Sequence, residues 1–291
     1  MKTTIKIINS VFKKHKKAAI AFSGGSDSIV LLDIIYRKTK HRPPLIFSDS
    51  LMEFPSTITH VKKIAKKYDA QLFTAKPKRK PIEQWHKSGW PMLGKLAARH
   101  WMQNNPEKGF KIDVTACCRN MKIAPARKLL KTLGFEIHFT GQRGNQDDAL
   151  RGMRSKKDEL IKYIKQDKLF ICNPLDGWTD TMIRRYSDQN KLESHPLKKK
   201  GAITIGCMFC GGGAQFTNSG FRILRKLNKK AWREFMIDQK AGEIILAIKY
   251  KVHIDEIRKA IKKMGGLEKL AGEKPFIFDF LVQTPAQGYN K

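Results

Sequence analysis

The stretch "AIAFSGGSDSIVLLDII", Ala19 to Ile35, runs from a short apolar segment through two glycines into a longer apolar pattern. Its first part has the length of a strand and its last part the spacing of a helix, so the unit reads strand, tight turn, helix. The alternation recurs down the chain. "AAIAF", "PLIFSD", "AQLFTA", "EIHFTG" and "KLFICNPL" are candidate strands, and helical patterns begin near Ser28, Thr57, Ile123, Ser155 and Thr179. Strands separated by helices form parallel βαβ units with right-handed crossovers. The predicted fold is α/β: a parallel twisted sheet with helices on both faces. Its first turn lies at the carboxyl edge, where open sheets bind ligands.

From about residue 216 the texture changes. Phe221, Leu224, Leu227, Ala231 and Phe235 make one apolar helix face, and Ile254, Ile257, Ile261 and Met264 make another, with lysines and arginines between them. The chain is therefore expected to divide into an α/β domain over 1–215 and a basic helical appendage over 216–291. Lys and Arg number 58 against 26 Asp and Glu, a net charge of +32. Such an excess repels itself and is relieved by a polyanion, so nucleic acid, DNA or tRNA, is the expected partner; solvated helix faces are the alternative. No run approaches the roughly 18 apolar residues of a membrane span. The start "MKTTIKIINSVFKKHKK" has neither a long apolar run nor a small-residue cleavage site, so a cytoplasmic protein with no membrane partner is expected.

"FSGGSDS" carries the clearest chemistry. Gly24 and Gly25 allow backbone angles and close approach that a side chain blocks. Their amides, with the start of the following helix, form an anion-binding concavity to which Ser23 and Ser28 add hydroxyls. Asp27 is the odd member: it either holds Mg²⁺ against a phosphate or caps the helix. The Walker Lys-Ser or Lys-Thr pair and the G-x-G-x-x-G fingerprint are both missing.

"SGGSDS" resembles the pyrophosphate loop, SGGxDS, of the adenine-nucleotide alpha-hydrolase superfamily, with Ser26 at a position where these proteins often have Lys. Further segments resemble one branch, the phosphoadenosine phosphosulfate (PAPS) reductase family. "FSDSLMEFPST" is similar to its D-T-G-x-x-F-P-E-T segment, Asp49 and Pro55 matching. "FTGQRGNQDDALRG" is similar to its T-G-x-R loop, Arg143 matching and Arg151 a further contributor. "NPLDGWTDTMIRRY" and "SHPLKKKGAITIGCMFC" follow its P-L-x-x-W-T and N-P-L-Y-x-x-G-x-x-S-I-G-C-x-x-C segments. The matches run in order from about residue 18 to 213. The resemblance implies an adenine nucleotide, ATP or a sulfonucleotide, held by Ser23, Gly24, Gly25, Ser26, Ser28, Asp49 and Arg151, with Asp27 and Arg143 at its anionic end.

Five cysteines occur: Cys117, Cys118, Cys172, Cys207 and Cys210. The adjacent pair "CC" and the C-x-x-C of "GCMFCGGG" together offer four thiolates, a set suited to zinc or an iron–sulfur cluster. The layout, with Lys122 and Pro125 after the first pair, resembles cluster-binding adenosine phosphosulfate (APS) reductases. That implies a four-iron, four-sulfur cluster on Cys117, Cys118, Cys207 and Cys210, and a catalytic role for Lys122. Cys172, in an apolar strand, reads as a small buried hydrophobe. The family's nucleophilic cysteine lies near the C-terminus in an E-C-G-(I/L)-H setting, whereas no cysteine follows Cys210. Charge excess and missing thiol together point to an ATP-dependent, pyrophosphate-releasing sulfur-transfer enzyme acting on nucleic acid, aided by a sulfur or electron donor protein. In layout the chain also resembles the ATPase component of DNA phosphorothioation systems. The alternatives are an assimilatory APS or PAPS reductase and a non-catalytic nucleotide- and nucleic-acid-binding subunit.

Overall fold

The computed structural model describes residues 1–144, 160–202, 205–211 and 220–278. Two compact units emerge. One comprises Met1–Lys78 and Met121–Lys200, the other Arg79–Asn120 and Gly201–Lys291.

The first unit is built on a six-stranded sheet, β1 (Ala18–Ala21), β2 (Leu45–Ser48), β3 (Leu72–Ala75), β4 (Ile137–Phe139), β5 (Ile161–Ile164) and β6 (Leu169–Cys172). Its order is β3-β2-β1-β4-β6-β5, and every pairing is parallel except β5 against β6. The five candidate strands are all present. β5 was missed because "IKYI" is a half-exposed edge hairpin strand with no apolar run to mark it.

Strand alternation assigns the two faces. Ala18, Ile20, Leu45, Phe47, Ile137, Phe139 and Cys172 enter one core, together with Ile8 and Val11 of α1 (Lys2–Lys14), the apolar body of α2 (Ser26–Lys38), Val61 and Ile64 of α3 (Pro55–Lys67), and Ile183 and Tyr186 of α8 (Asp180–Gln189). Ala19, Ile46 and Leu169 face the other way and pack on Leu130 of α7 (Ala124–Thr132). Helices thus cover both faces, unequally. The helical pattern near Ser155 lies outside the described residues.

α2 is the central helix. Residues Ser28 to Tyr36 are buried in an unbroken run, so even Asp33 has no access to water. Its carboxylate is held by Tyr68 Oη at 2.6 Å, Tyr186 Oη at 2.8 Å and Arg37 Nε at 3.0 Å. Buried charge is tolerated only when it is paired in this way.

The second unit joins α4 (Pro81–Ser88), α5 (Lys95–Asn104) and α6 (Val114–Cys118) to the helices of the C-terminal segment. Trp85 lies at its centre against Trp90, Phe209 and Phe235, with ring centroids 5.4–6.1 Å apart. Phe221, Leu224, Ala231 and Phe235 are buried, as are Ile254, Ile257 and Ile261, so the helical appendage predicted from sequence is present. Met264 is exposed. No helix of the described residues is long and apolar enough to cross a membrane.

Candidate functional site

Strand order reverses between β1 and β4, and at such a switch point the loops leaving the two carboxyl ends diverge and leave a crevice. Both loops carry the sequence features singled out above.

After β1 the chain reaches Gly24 with φ +74°, a conformation that disfavours any side chain; a Cβ there would lie 3.0 Å from Val61 Cγ2 and 3.2 Å from His60 Cδ2. Gly25 is the N-cap of α2 and offers no side-chain cap bond. The loop is tied by its own hydroxyls. Ser28 Oγ donates to the Gly25 carbonyl at 2.9 Å, Gly25 N–H donates to Ser23 Oγ at 3.4 Å, and the two serine oxygens lie 3.3 Å apart. The first turn of a 13-residue helix therefore opens on the loop, its amides turned to the positive end of the helix dipole.

The β4 loop locks onto this turn. A Cβ on Gly141 would stand 2.8 Å from the Asp27 carbonyl carbon and 3.0 Å from Ser28 N, so only glycine lets the two backbones touch. Two residues on, the Arg143 guanidinium is buried. It donates to the Trp178 carbonyl at 3.1 Å, pairs with Asp180, and holds its Nε 3.4 Å from Asp27 Oδ1. The cation beside Asp27 is thus a guanidinium of this chain, and Arg143 braces the loop from within.

Behind β2, Asp49 is buried; its Oδ1 accepts the Leu51 N–H at 2.9 Å, shaping a turn in which Leu51 takes φ +63°, while Oδ2 lies 3.5 Å from Lys76 Nζ. Lys122 Nζ meets Glu53 Oε1 at 2.9 Å, an acid also bonded by Ser50 Oγ at 2.8 Å. Sequence reasoning passed over Glu53. It also passed over a histidine pair: His60 and His195, both buried, cross edge to face at 4.8 Å beneath Gly24. His195 caps α9 (Pro196–Lys199) by accepting the Leu197 N–H at 3.1 Å on Nδ1. That capping places Lys198 Nζ 2.9 Å from Ser26 Oγ. Arg151 lies outside the described residues.

Burial lowers the basicity of the three buried histidines, His60, His138 and His195. His195 is pushed down to about 4 by burial and by the neighbouring His60 and Lys198; His138, inside β4, is pushed down to about 4 by burial and Arg127; His60 is lowered chiefly by burial. An unfolded histidine binds its proton near the ordinary value of 6.5. The neutral rings therefore contribute stability that is fully present above pH 6.5 and lost as pH falls toward 4. By about pH 5 the loss is at most about 2 kcal/mol each for His138 and His195. A urea midpoint that falls between pH 7 and pH 5 is the expected result; a flat midpoint over that range contradicts it.

In the second unit, Cys117 is buried and Cys118 exposed at the end of α6, while Cys207 and Cys210 are half-buried on a turn closed by Cys210 N–H to Cys207 O at 3.2 Å. All four thiols belong to this one unit. Among the described residues no group of three or more His, Cys, Asp or Glu side chains is gathered in metal-holding geometry. Softness and the CC/C-x-x-C layout fit iron–sulfur or zinc chemistry, so the match rests on the donor set rather than on a preformed cage.

Residues 17–212 match the family model described as phosphoadenosine phosphosulfate reductase domain. Adenosine 5′-phosphosulfate reductase 1 of Bacillus subtilis is 28% identical over 204 residues, 69% of this chain and 76% of that protein. The adenosine 5′-phosphosulfate reductase of Mycobacterium tuberculosis is 31% identical over 182 residues, 62% of this chain and 61% of that protein. A crystal structure of PAPS reductase from Candida auris, a phosphate complex, superposes with TM-score 0.50 at 24% identity, covering 70% of this chain and 88% of that one. That likeness carries the fold.

These relatives correct one expectation. A pyrophosphate-releasing sulfur-transfer enzyme acting on nucleic acid is overturned by relatives named as APS reductases. Charge misled because it governs solubility and long-range attraction, not the reaction at a site. Basic residues such as Arg222, Lys226, Lys229 and Lys230 lie on exposed helix faces.

Proposed function

The chain belongs to the phosphoadenosine phosphosulfate reductase domain family, and we propose that it is an APS reductase that draws on a dithiol donor. The observation that carries this reading is the glycine loop at the β1/β4 switch point. It joins an open helix start, two backbone segments in glycine-only contact and a buried Arg143 paired with the half-buried Asp27. Such a concavity suits a phosphate ester carried by a nucleoside. Relatives named as APS reductases and the paired cysteines support APS as the sulfonucleotide.

In the proposed reaction a donor thiolate attacks the sulfate sulfur. An S–S bond forms, the bond from sulfur to the bridging phosphate oxygen breaks, and AMP leaves with that electron pair. A second thiol attacks the donor's sulfur, releasing sulfite and closing a disulfide, so two thiols are oxidised as the sulfate sulfur gains two electrons. Cys172 does not serve as the nucleophile: it is fully buried, and burial pushes its thiol up to about 12. The loop residues Ser23, Gly24, Gly25, Ser26 and Ser28 are assigned to the nucleotide's phosphate, with Asp49 and Arg151 as further contacts. Lys122, steered by Glu53, is assigned to the charge on the sulfate. Mg²⁺ has no step in this reaction. The family match ends at residue 212, near the expected boundary at 215/216, whereas the compact units divide the chain differently: Arg79–Asn120 belongs with Gly201–Lys291.

We assign Cys117, Cys118, Cys207 and Cys210 to a four-iron, four-sulfur cluster, which when bound supplies a covalent tie between the two cysteine turns. Protein purified without oxygen is expected to release sulfite from APS when given a reduced dithiol, and to contain about four iron and four acid-labile sulfide per chain. Pyrophosphate release from ATP without sulfite release overturns the reductase reading. Sulfite release from a protein holding one zinc overturns only the cluster.

A further inference from the structure

We propose that Lys198, carried by α9, supplies the cation that the glycine loop itself lacks, clamping the phosphate–sulfate end of the nucleotide onto the start of α2. The inference rests on the reductase reading and names a residue of its binding site.

Three observations lead there. First, the segment Ser23–Ser28 contains no basic residue, yet Lys198 Nζ, 172 positions away, donates to Ser26 Oγ at 2.9 Å. Second, this ammonium stands at the N-terminus of a 13-residue helix whose N-cap makes no side-chain bond. A cation at the positive end of a helix dipole is held against repulsion. An oxyanion between the ammonium and the amides turns that repulsion into attraction on both sides. Third, α9 is anchored in the same place. Leu197 is buried, Pro196 occupies the first turn, and the His195 ring packs on His60 with its Cδ2 3.8 Å from the Cβ position of Gly24. The Nε2 next to that carbon is buried without a hydrogen-bond partner, a polar atom beside the loop that the protein leaves unsatisfied.

The arrangement also accounts for the acid in the loop. Asp27 would repel a bound anion, but its Oδ1 faces Arg143. Lys198, exposed and bonded to a hydroxyl, is placed to answer the ligand's charge. The ligand class is an oxyanion ester, a phosphate or phosphosulfate on adenosine.

The test is calorimetric titration of the full chain with AMP and, as a neutral control, adenosine. Lys198→Ala is expected to weaken AMP binding about 10- to 100-fold, the range of a charged hydrogen bond, and to leave adenosine unchanged. Moving the charge into the loop, in the double variant Lys198→Ala with Ser26→Lys, is expected to restore most of the AMP affinity. Lys200→Ala, on the same segment, is expected to stay within about twofold of the parent, since its side chain makes no bond to the loop and a charge acting only at a distance is well screened. Wild-type affinity for AMP in Lys198→Ala overturns the proposal, as does an equal loss for adenosine with no recovery in the double variant. A parent chain that binds neither AMP nor APS overturns the reductase reading along with it.

Discussion

Arg143→Leu is expected to abolish nucleotide binding and to destabilise the first unit by about 1–3 kcal/mol, the range for losing hydrogen bonds to a charged group whose carboxylate partners still reach solvent. The buried guanidinium bonds the Trp178 carbonyl and the exposed Asp180 and stands in an ion pair with Asp27. Leucine fills much of the space and satisfies none of them. The Asp27 carboxylate would then stand at the loop without its internal cation, repelling the oxyanion the loop is built to hold. Arg143→Lys separates the two effects. A lysine keeps the charge but not the planar fork, so part of the stability should return while binding stays weak by at least about tenfold. Urea unfolding and AMP titration of both variants check this. Unchanged AMP affinity in Arg143→Leu would show that the β4 loop does not brace the site.

Asp33→Ala is the opposite case, large in stability and silent in binding. Tyr68 Oη and Tyr186 Oη both donate to this carboxylate, and burial together with Asp33 raises both phenols above their ordinary range. The alanine variant orphans two hydroxyls and frees Arg37, an expected cost of about 3 kcal/mol. Asp33→Asn, which keeps one acceptor oxygen, should recover about half. Neither change touches the loop, so AMP affinity measured well below the unfolding midpoint should equal that of the parent. A loss below about 1 kcal/mol in Asp33→Ala would mean that water reaches the carboxylate.

What the sequence made legible was periodic or local. Strands such as "PLIFSD" are apolar runs bounded by turn residues, and the central ones are buried on both faces, so the signal is strong. "IKYI" is an edge strand with neither property, and it went unread. The glycine turn was equally local: Gly24 was singled out for its backbone freedom, and its φ of +74° requires it. Contacts far apart in sequence left no such trace. That Lys198 would reach Ser26, or that His60 would lie against His195, depends on how α9 docks after 172 and 135 intervening steps of chain. The only hint was negative: a phosphate loop without a basic residue must find its cation elsewhere. Residues 79–120 likewise share a compact unit with the C-terminal helices through Trp85 and Phe235, a pairing that no local pattern announces. The function was misread because a whole-chain property, charge, was given authority over the chemistry of a site.

The most direct measurement is a crystal structure of the full chain soaked with AMP, the product the reductase reading releases. The account predicts the phosphate within hydrogen-bond reach of the Gly25 and Ser26 amides, with Lys198 Nζ turned from the Ser26 hydroxyl to a phosphate oxygen. Density for AMP at any other place, or a glycine loop left vacant at millimolar AMP, would contradict it.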